Sequence, residues 1–229
     1  MNASMTRRLA SALLLGCVGL APAAHANQED NRLWSSLITE GQLGSTTRWF
    51  LEIQNRLRDD ATKQDQLIVR PAVSYALTDR STLWLGYAHV ETRNNQGSTS
   101  ENRLWQQYQV TGKWDTLNWL SRTRLEQRDL QGQPDQSHRL RQMIRFSHPV
   151  SQGSAWSYLG WNELFINLND TNWAGGSGIN QNRAFAGMLF KTSDKSRIEF
   201  GYLNQVVNVT TGRENQTNHI ASVLYIHGF

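Results

Sequence analysis

The sequence predicts an all-β fold, a transmembrane antiparallel up-and-down β-barrel of twelve strands, with ten as the alternative. Three observations predict it. Residues of alternating polarity recur in segments of ten or more. Turn-rich stretches interrupt them every 10 to 15 residues. The chain closes on Phe229 at the end of one such segment. Strand side chains point alternately to opposite faces, so an amphipathic strand reads with period 2. A tilted strand needs about 9–11 residues to cross a bilayer.

The 229 residues are enough for one large all-β domain. Mean hydropathy is −0.56, and no stretch after residue 26 approaches the roughly 18 apolar residues of a spanning helix. Barrel strands escape that test, because lipid-facing and lumen-facing residues average out as polar.

Residues 1–26 differ from the rest. Arg7 and Arg8 precede an apolar run from Leu9 to Leu20, and Ala24-His25-Ala26 is a small-x-small site. This pattern predicts a signal peptide cleaved after Ala26, leaving 27–229 as the barrel. Leu14-Leu15-Gly16-Cys17 loosely resembles a lipobox, but the apolar run continues past Cys17 to the better site. Cleavage there removes the only cysteine, and with it any disulfide or thiolate chemistry. Formal charge falls from +4 to +2, since Arg7 and Arg8 leave and no acid does. The basic residues alternate with Leu, Trp and Gln, so they form no nucleic-acid footprint.

Eleven candidate strands follow, at 33–40, 47–58, 66–77, 81–92, 102–113, 116–128, 137–148, 155–167, 182–191, 196–208 and 217–229. In the second, Trp49, Leu51, Ile53 and Leu57 oppose Arg48, Glu52, Gln54, Arg56 and Arg58. In the sixth, Leu117, Trp119, Thr123 and Leu125 oppose Arg122, Arg124, Glu126 and Arg128. In the seventh, Leu140, Ile144 and Phe146 oppose Arg139, Arg141 and Arg145. One face suits lipid and the other carries charge. Bacterial single-chain barrels usually have an even strand number, so eleven implies one strand missed or one split.

The links also alternate. Those after odd strands are short, as at Thr78-Asp79-Arg80-Ser81, Lys113-Trp114-Asp115 and Thr192-Ser193-Asp194-Lys195. Those after even strands are longer and polar, as from Asp59 to Asp65, Arg93 to Glu101, Asn169 to Gln181 and Thr210 to Gln216. Outer-membrane barrels pair short periplasmic turns with long external loops. Trp49, Trp84, Trp114, Trp119, Phe146, Trp156, Phe190 and Phe200 lie near the short links, and Phe229 ends there too. Amphipathic rings favour the headgroup level, so these nine predict an aromatic girdle. The competing reading is the core of a soluble periplasmic β-sandwich, which would place its rings mid-strand.

Several segments together resemble one family. Leu33-Trp34-Ser35-Ser36-Leu37 followed by Arg48-Trp49-Phe50-Leu51-Glu52 is similar to its first hairpin. Ser121 to Arg128 with Arg139-Leu140-Arg141 is similar to its central Arg-rich pair. Asn162 to Leu168, Asn180-Gln181-Asn182-Arg183 and Glu199-Phe200-Gly201-Tyr202 are similar to its later strands. The whole resembles the DUF2490 barrels of Gram-negative bacteria, over nearly all of residues 30–229. The resemblance implies an outer-membrane barrel with no established activity, and it supplies no catalytic residues.

The strongest constellation is the polar strand face. Glu52, Arg56, Arg122, Arg124, Glu126, Arg128, Arg139, Arg141, Arg145 and Glu163 are the expected charged lining of the lumen. Cross-strand neighbours come within about 5–8 Å, so the arginines need the glutamates or water beside them. Two readings stay open, a structural ion-pair network filling a narrow barrel and an anion-selective lining. A lipid-modifying enzyme would instead need a Ser or Thr, a His and an acid brought together. His89, His138, His148, His219 and His227 show no His-x-Ser arrangement. Gly175-Gly176-Ser177-Gly178 lacks the Lys and helix of a phosphate loop and reads as a flexible loop tip. No catalytic, cofactor or metal residues are expected. The expected partners are outer-membrane lipid, lipopolysaccharide and the barrel assembly machinery, with no nucleic acid.

Overall fold

The computed structural model describes residues 26–208 and 215–229, and every element among them is a strand. The strands are β1 (Ala26–Gln42), β2 (Thr47–Arg58), β3 (Lys63–Ala76), β4 (Ser81–Asn94), β5 (Gly97–Trp114), β6 (Leu117–Leu130), β7 (Ser137–Pro149), β8 (Trp156–Asn167), β9 (Gly178–Lys191), β10 (Ser196–Val207) and β11 (Asn215–Gly228). Each pairs antiparallel with its sequence neighbour. β1 pairs with β11 in parallel, from Ala26↔Asn215 to Glu40↔Gly228, and this seam closes a single barrel. The expected β-barrel is thereby found, and the competing β-sandwich is set aside by one closed sheet. Among the described residues no helix is long and apolar enough to cross a membrane, a test that does not address strands.

The strand count corrects the expectation of twelve or ten. An even number is required only when the closing pair is antiparallel. Here the seam is parallel, so eleven strands close without a missing or split element. One consequence is that β1 begins at the same end as β11. That end also holds the β2–β3, β4–β5, β6–β7, β8–β9 and β10–β11 links, and we call it the loop end; the other is the turn end.

The expected contrast in link length is also corrected. β2 and β3 are separated only by 59–62, and β4 and β5 only by 95–96. Polar sequence did not end those strands, because the ladder satisfies backbone groups whatever the side chains. Tall hairpins replace two of the expected loops. β5 runs for 18 residues and β4 for 14, longer than a bilayer needs. The β8–β9 link at 168–177 is the long ordered loop. Thr171 and Gly175 bond to each other in it, and Asn167 Nδ2 donates to Ala174 O at 2.8 Å. It is therefore braced rather than a loose tip.

Alternation is kept around the barrel. Leu33, Leu37, Ile53, Val73, Leu83, Leu85, Leu104, Ile144, Tyr202 and Val223 are exposed outside. Trp34, Ile68, Trp105, Phe165, Leu203 and Ile220 are buried inside among the charges. Glycine makes room for cross-strand Trp in three register pairs, Gly41↔Trp49, Gly86↔Trp105 and Gly112↔Trp119. A Cβ on Gly86 would collide with the Trp105 ring, which covers it inside the barrel.

The predicted girdle forms three outward clusters at the turn end. Trp49 packs on Phe229 at 5.7 Å; Trp114 meets Trp119 at 5.7 Å and Phe146 at 6.5 Å; Trp156 stacks on Phe190 at 4.4 Å and meets Phe200 at 6.1 Å. Trp84 is a correction. It shares the inward face of β4 with Gly86, Ala88 and Val90 and packs against Phe50 inside. Its place in sequence near a short link did not reveal its parity.

Candidate functional site

The site is the charged interior. Two sets of ion pairs join strands that are not neighbours, and such contacts must cross the lumen. Arg122 on β6 reaches Glu163 on β8 at 2.7 Å, and Arg145 on β7 grips Glu199 on β10 with two bonds of 2.8 Å. Around them, Glu126 accepts from Arg139 at 2.9 Å and from Arg141 at 2.7 Å. Arg141 also holds Glu163 at 3.0 and 2.9 Å. Glu101 takes Arg103 at 2.7 Å and Arg128 at 2.6 Å, and Glu52 is bonded to Arg70. Glu126 is 1% exposed and Glu163 2%.

All ten charged positions expected to line the lumen lie on inward faces by strand parity. Most are buried; Arg122 and Arg145 are half-buried. The structure adds five that the sequence reading passed over: Arg70, Glu101, Arg103, Arg183 and Glu199. Parity would have found Glu101 and Arg103, which share a face with Trp105 and Gln107. The run of glutamines hid that alternation.

Charge does not balance at the centre. Arg56, Arg70, Arg103, Arg122, Arg124, Arg128, Arg139, Arg141 and Arg183 face Glu52, Glu101, Glu126 and Glu163, nine cations to four carboxylates. The deficit is local. Arg124 binds the Gln107 oxygen at 2.9 and 2.7 Å, with Glu126 at 3.8 Å. Arg56 uses the Gln54 and Gln66 oxygens at 2.7 and 2.8 Å. Arg183 bonds Gln181 at 3.0 Å once that amide presents its oxygen. Arg56 and Arg183 both lie over the Trp34 ring, at 3.8 and 4.8 Å from its centroid. Among the described residues neither has a carboxylate within ion-pair distance.

The two ends of the interior differ. At the loop end the β8–β9 loop folds over the barrel. Trp173 lies 4.8 Å from Arg128 and donates from Nε1 to Asp135 O at 2.9 Å. Asp170 accepts from the Ser177 N–H at 2.5 Å, which holds its carboxyl below the usual range. At the turn end a cavity of about 390 Å³ is lined by Arg80, Lys113, Asn118, Leu120, Arg145 and Ser147.

The histidines can be placed against the arrangement a hydrolase needs. Ser196 Oγ lies 2.7 Å from His227 Nδ1, and Thr116 Oγ1 lies 2.8 Å from His148 Nε2, both at the turn end. Among the described residues neither His has a carboxylate in ion-pair range. His219 meets the Tyr202 hydroxyl at 2.6 Å, with Glu29 at 3.9 Å from its other nitrogen. His89 contacts Asn102 at 2.9 Å. Among the described residues no group of three or more His, Cys, Asp or Glu is gathered as a metal site would require.

The family of proteins of unknown function DUF2490 matches over residues 31–217. The chain belongs to the DUF2490 family. An uncharacterized protein of Methylorubrum extorquens is 35% identical over 221 residues, which cover 95% of this chain and 96% of that one. No solved structure matches. The family match spans β1 to the start of β11, so the Arg–Glu interior lies wholly within the DUF2490 region.

Proposed function

We propose that this DUF2490 chain is an outer-membrane β-barrel, exported behind a signal peptide cleaved after Ala26. Its lumen is closed by side chains, so its role is structural, or conducts only small solutes. One observation carries the reading. The barrel is inside-out relative to a soluble protein, with its Arg–Glu network buried and Leu, Val, Ile and Tyr exposed around it. That is the partition a bilayer demands, with a band of rings at one end to meet the headgroups. The outward polar side chains fit it as well. Gln106 and Gln127 exchange bonds at 3.1 and 3.2 Å, Asn162 and Asn182 at 3.2 and 3.1 Å, and Gln142 joins Thr123 to Ser121. Amides paired within the sheet avoid the cost of unsatisfied groups in hydrocarbon.

Fractionation tests the location. The mature protein is expected to start at Asn27, to sediment with the outer membrane and to shift on a gel after heating. Leu125→Arg, on the outward face of β6, is expected to lower membrane-inserted protein, since Arg at the bilayer midplane costs about 2–4 kcal/mol. Recovery of the wild-type chain in the soluble periplasm would sink the proposal.

A further inference from the structure

We infer that the place in the lumen where Arg56 of β2 and Arg183 of β9 converge on Trp34 of β1 is a binding site for a small oxyanion, held between the two guanidinium groups at the edge of the indole. The inference deepens the reading of a closed lumen by naming what that lumen holds. Its first ground is charge. A guanidinium keeps its proton under ordinary conditions, and a buried cation needs a counter-charge. The chain brings none within ion-pair distance here: the carboxylates that act on Arg56, Asp65 and Glu52, are bonded to Arg32 and Arg70 instead. Glu163 is opposite Arg183 in the β8–β9 register, but Arg141 and Arg122 take both its oxygens.

The second ground is spare donors. Arg56 spends Nε and Nη1 on neutral glutamine oxygens. Trp34 is 4% exposed, and its Nε1–H has no hydrogen-bond partner among the described residues. The third is placement. Both guanidinium carbons lie within 4.8 Å of one ring centroid, so the two cations approach the same indole. Two guanidinium forks and an indole N–H together favour phosphate or sulfate geometry over a halide.

The test is equilibrium dialysis of the purified, refolded mature barrel in an uncharged detergent against radiolabelled inorganic phosphate. About one phosphate per chain is expected, displaced by sulfate. Arg56→Gln and Arg183→Gln should each weaken binding by about tenfold or more, the loss of one charge-assisted contact. Trp34→Phe keeps the ring, removes the donor, and should weaken it severalfold. Arg48→Gln, whose side chain pairs with Glu40 at the turn end, should bind as wild type. Displacement by lipopolysaccharide micelles but not by sulfate would assign the phosphate to a lipid headgroup and overturn the free-anion site. No saturable binding by folded protein would overturn it too, as would unchanged affinity in Trp34→Phe. Heat-modifiability checks folding, and if the Arg variants fail that check, Trp34→Phe decides. Because the measurement uses purified barrel, its outcome is separate from that of the fractionation.

Discussion

Arg141 on β7 and Arg183 on β9 lie over the same Phe165 ring, each 4.5 Å from its centroid. Arg141 is tied to Glu126 and Glu163, whereas Arg183 has only an amide and aromatic faces. The same contrast divides the lumen. On the β5–β8 wall nearly every guanidinium has a carboxylate, and on the other side, where Arg56 of β2 and Arg183 of β9 meet over Trp34 of β1, neither has one within ion-pair distance among the described residues. Stacking on rings can seat a cation, but only an opposite charge offsets its desolvation. One wall is therefore locked by its own sequence, and the other leaves a charge that can be answered from outside the chain.

The largest expected effect breaks the locked wall. Glu126→Gln removes a buried carboxylate from Arg139 and Arg141 at once. It should lower stability by about 3–5 kcal/mol, because uncompensated charge stays behind. A fall in the heat-modification midpoint reads this out; an unchanged midpoint would equate the two walls. On the other side of the lumen Arg183→Gln removes a buried charge that no ion pair offsets, so it should raise the same midpoint rather than lower it. Gln66→Glu would sharpen the contrast by giving Arg56 a carboxylate. The variant should be stabilised by about 1 kcal/mol and should lose phosphate binding, measured on one preparation by melting and dialysis. The smallest effect lies at the covering loop. The lowered value of Asp170 means that its bond to Ser177 adds stability above the ordinary carboxyl value of 3.8 and loses it as pH falls through the lowered one. Protease nicking of 168–177 should therefore be flat from neutral pH to about 5 and rise only in stronger acid, with Asp170→Asn nicked at every pH.

Much of this was legible in the sequence, and the reasons for the rest are physical. Strict alternation in β6 and β7 placed Arg122, Arg124, Arg139 and Arg141 on one face, since period 2 is a local property. The Arg145–Glu199 pair was not legible, because it joins residues 54 apart across the lumen. Nor was the inward side of Trp84, which depends on parity counted from Gly86 rather than on nearness to a turn. The parallel seam was hidden for a deeper reason. Pairing between first and last strands leaves no local trace, so an odd count looked like an error when it was the architecture.

That seam bears on when the barrel can finish folding. Every other strand pair is a hairpin that can zip as soon as its two strands exist. β1 must wait beside an unpaired edge until β11 has been made, nearly the whole chain later. Contacts of such sequence separation form slowly, and parallel pairing is slightly weaker per residue. The last step of closure is then also the first place to reopen, and until it occurs both edges are templates for other chains. The backbone bond from Phe229 N to Glu40 O, at 2.9 Å, adds one rung to that seam beyond the end of β11, and a rung made only once the barrel has closed holds it shut rather than hastening closure.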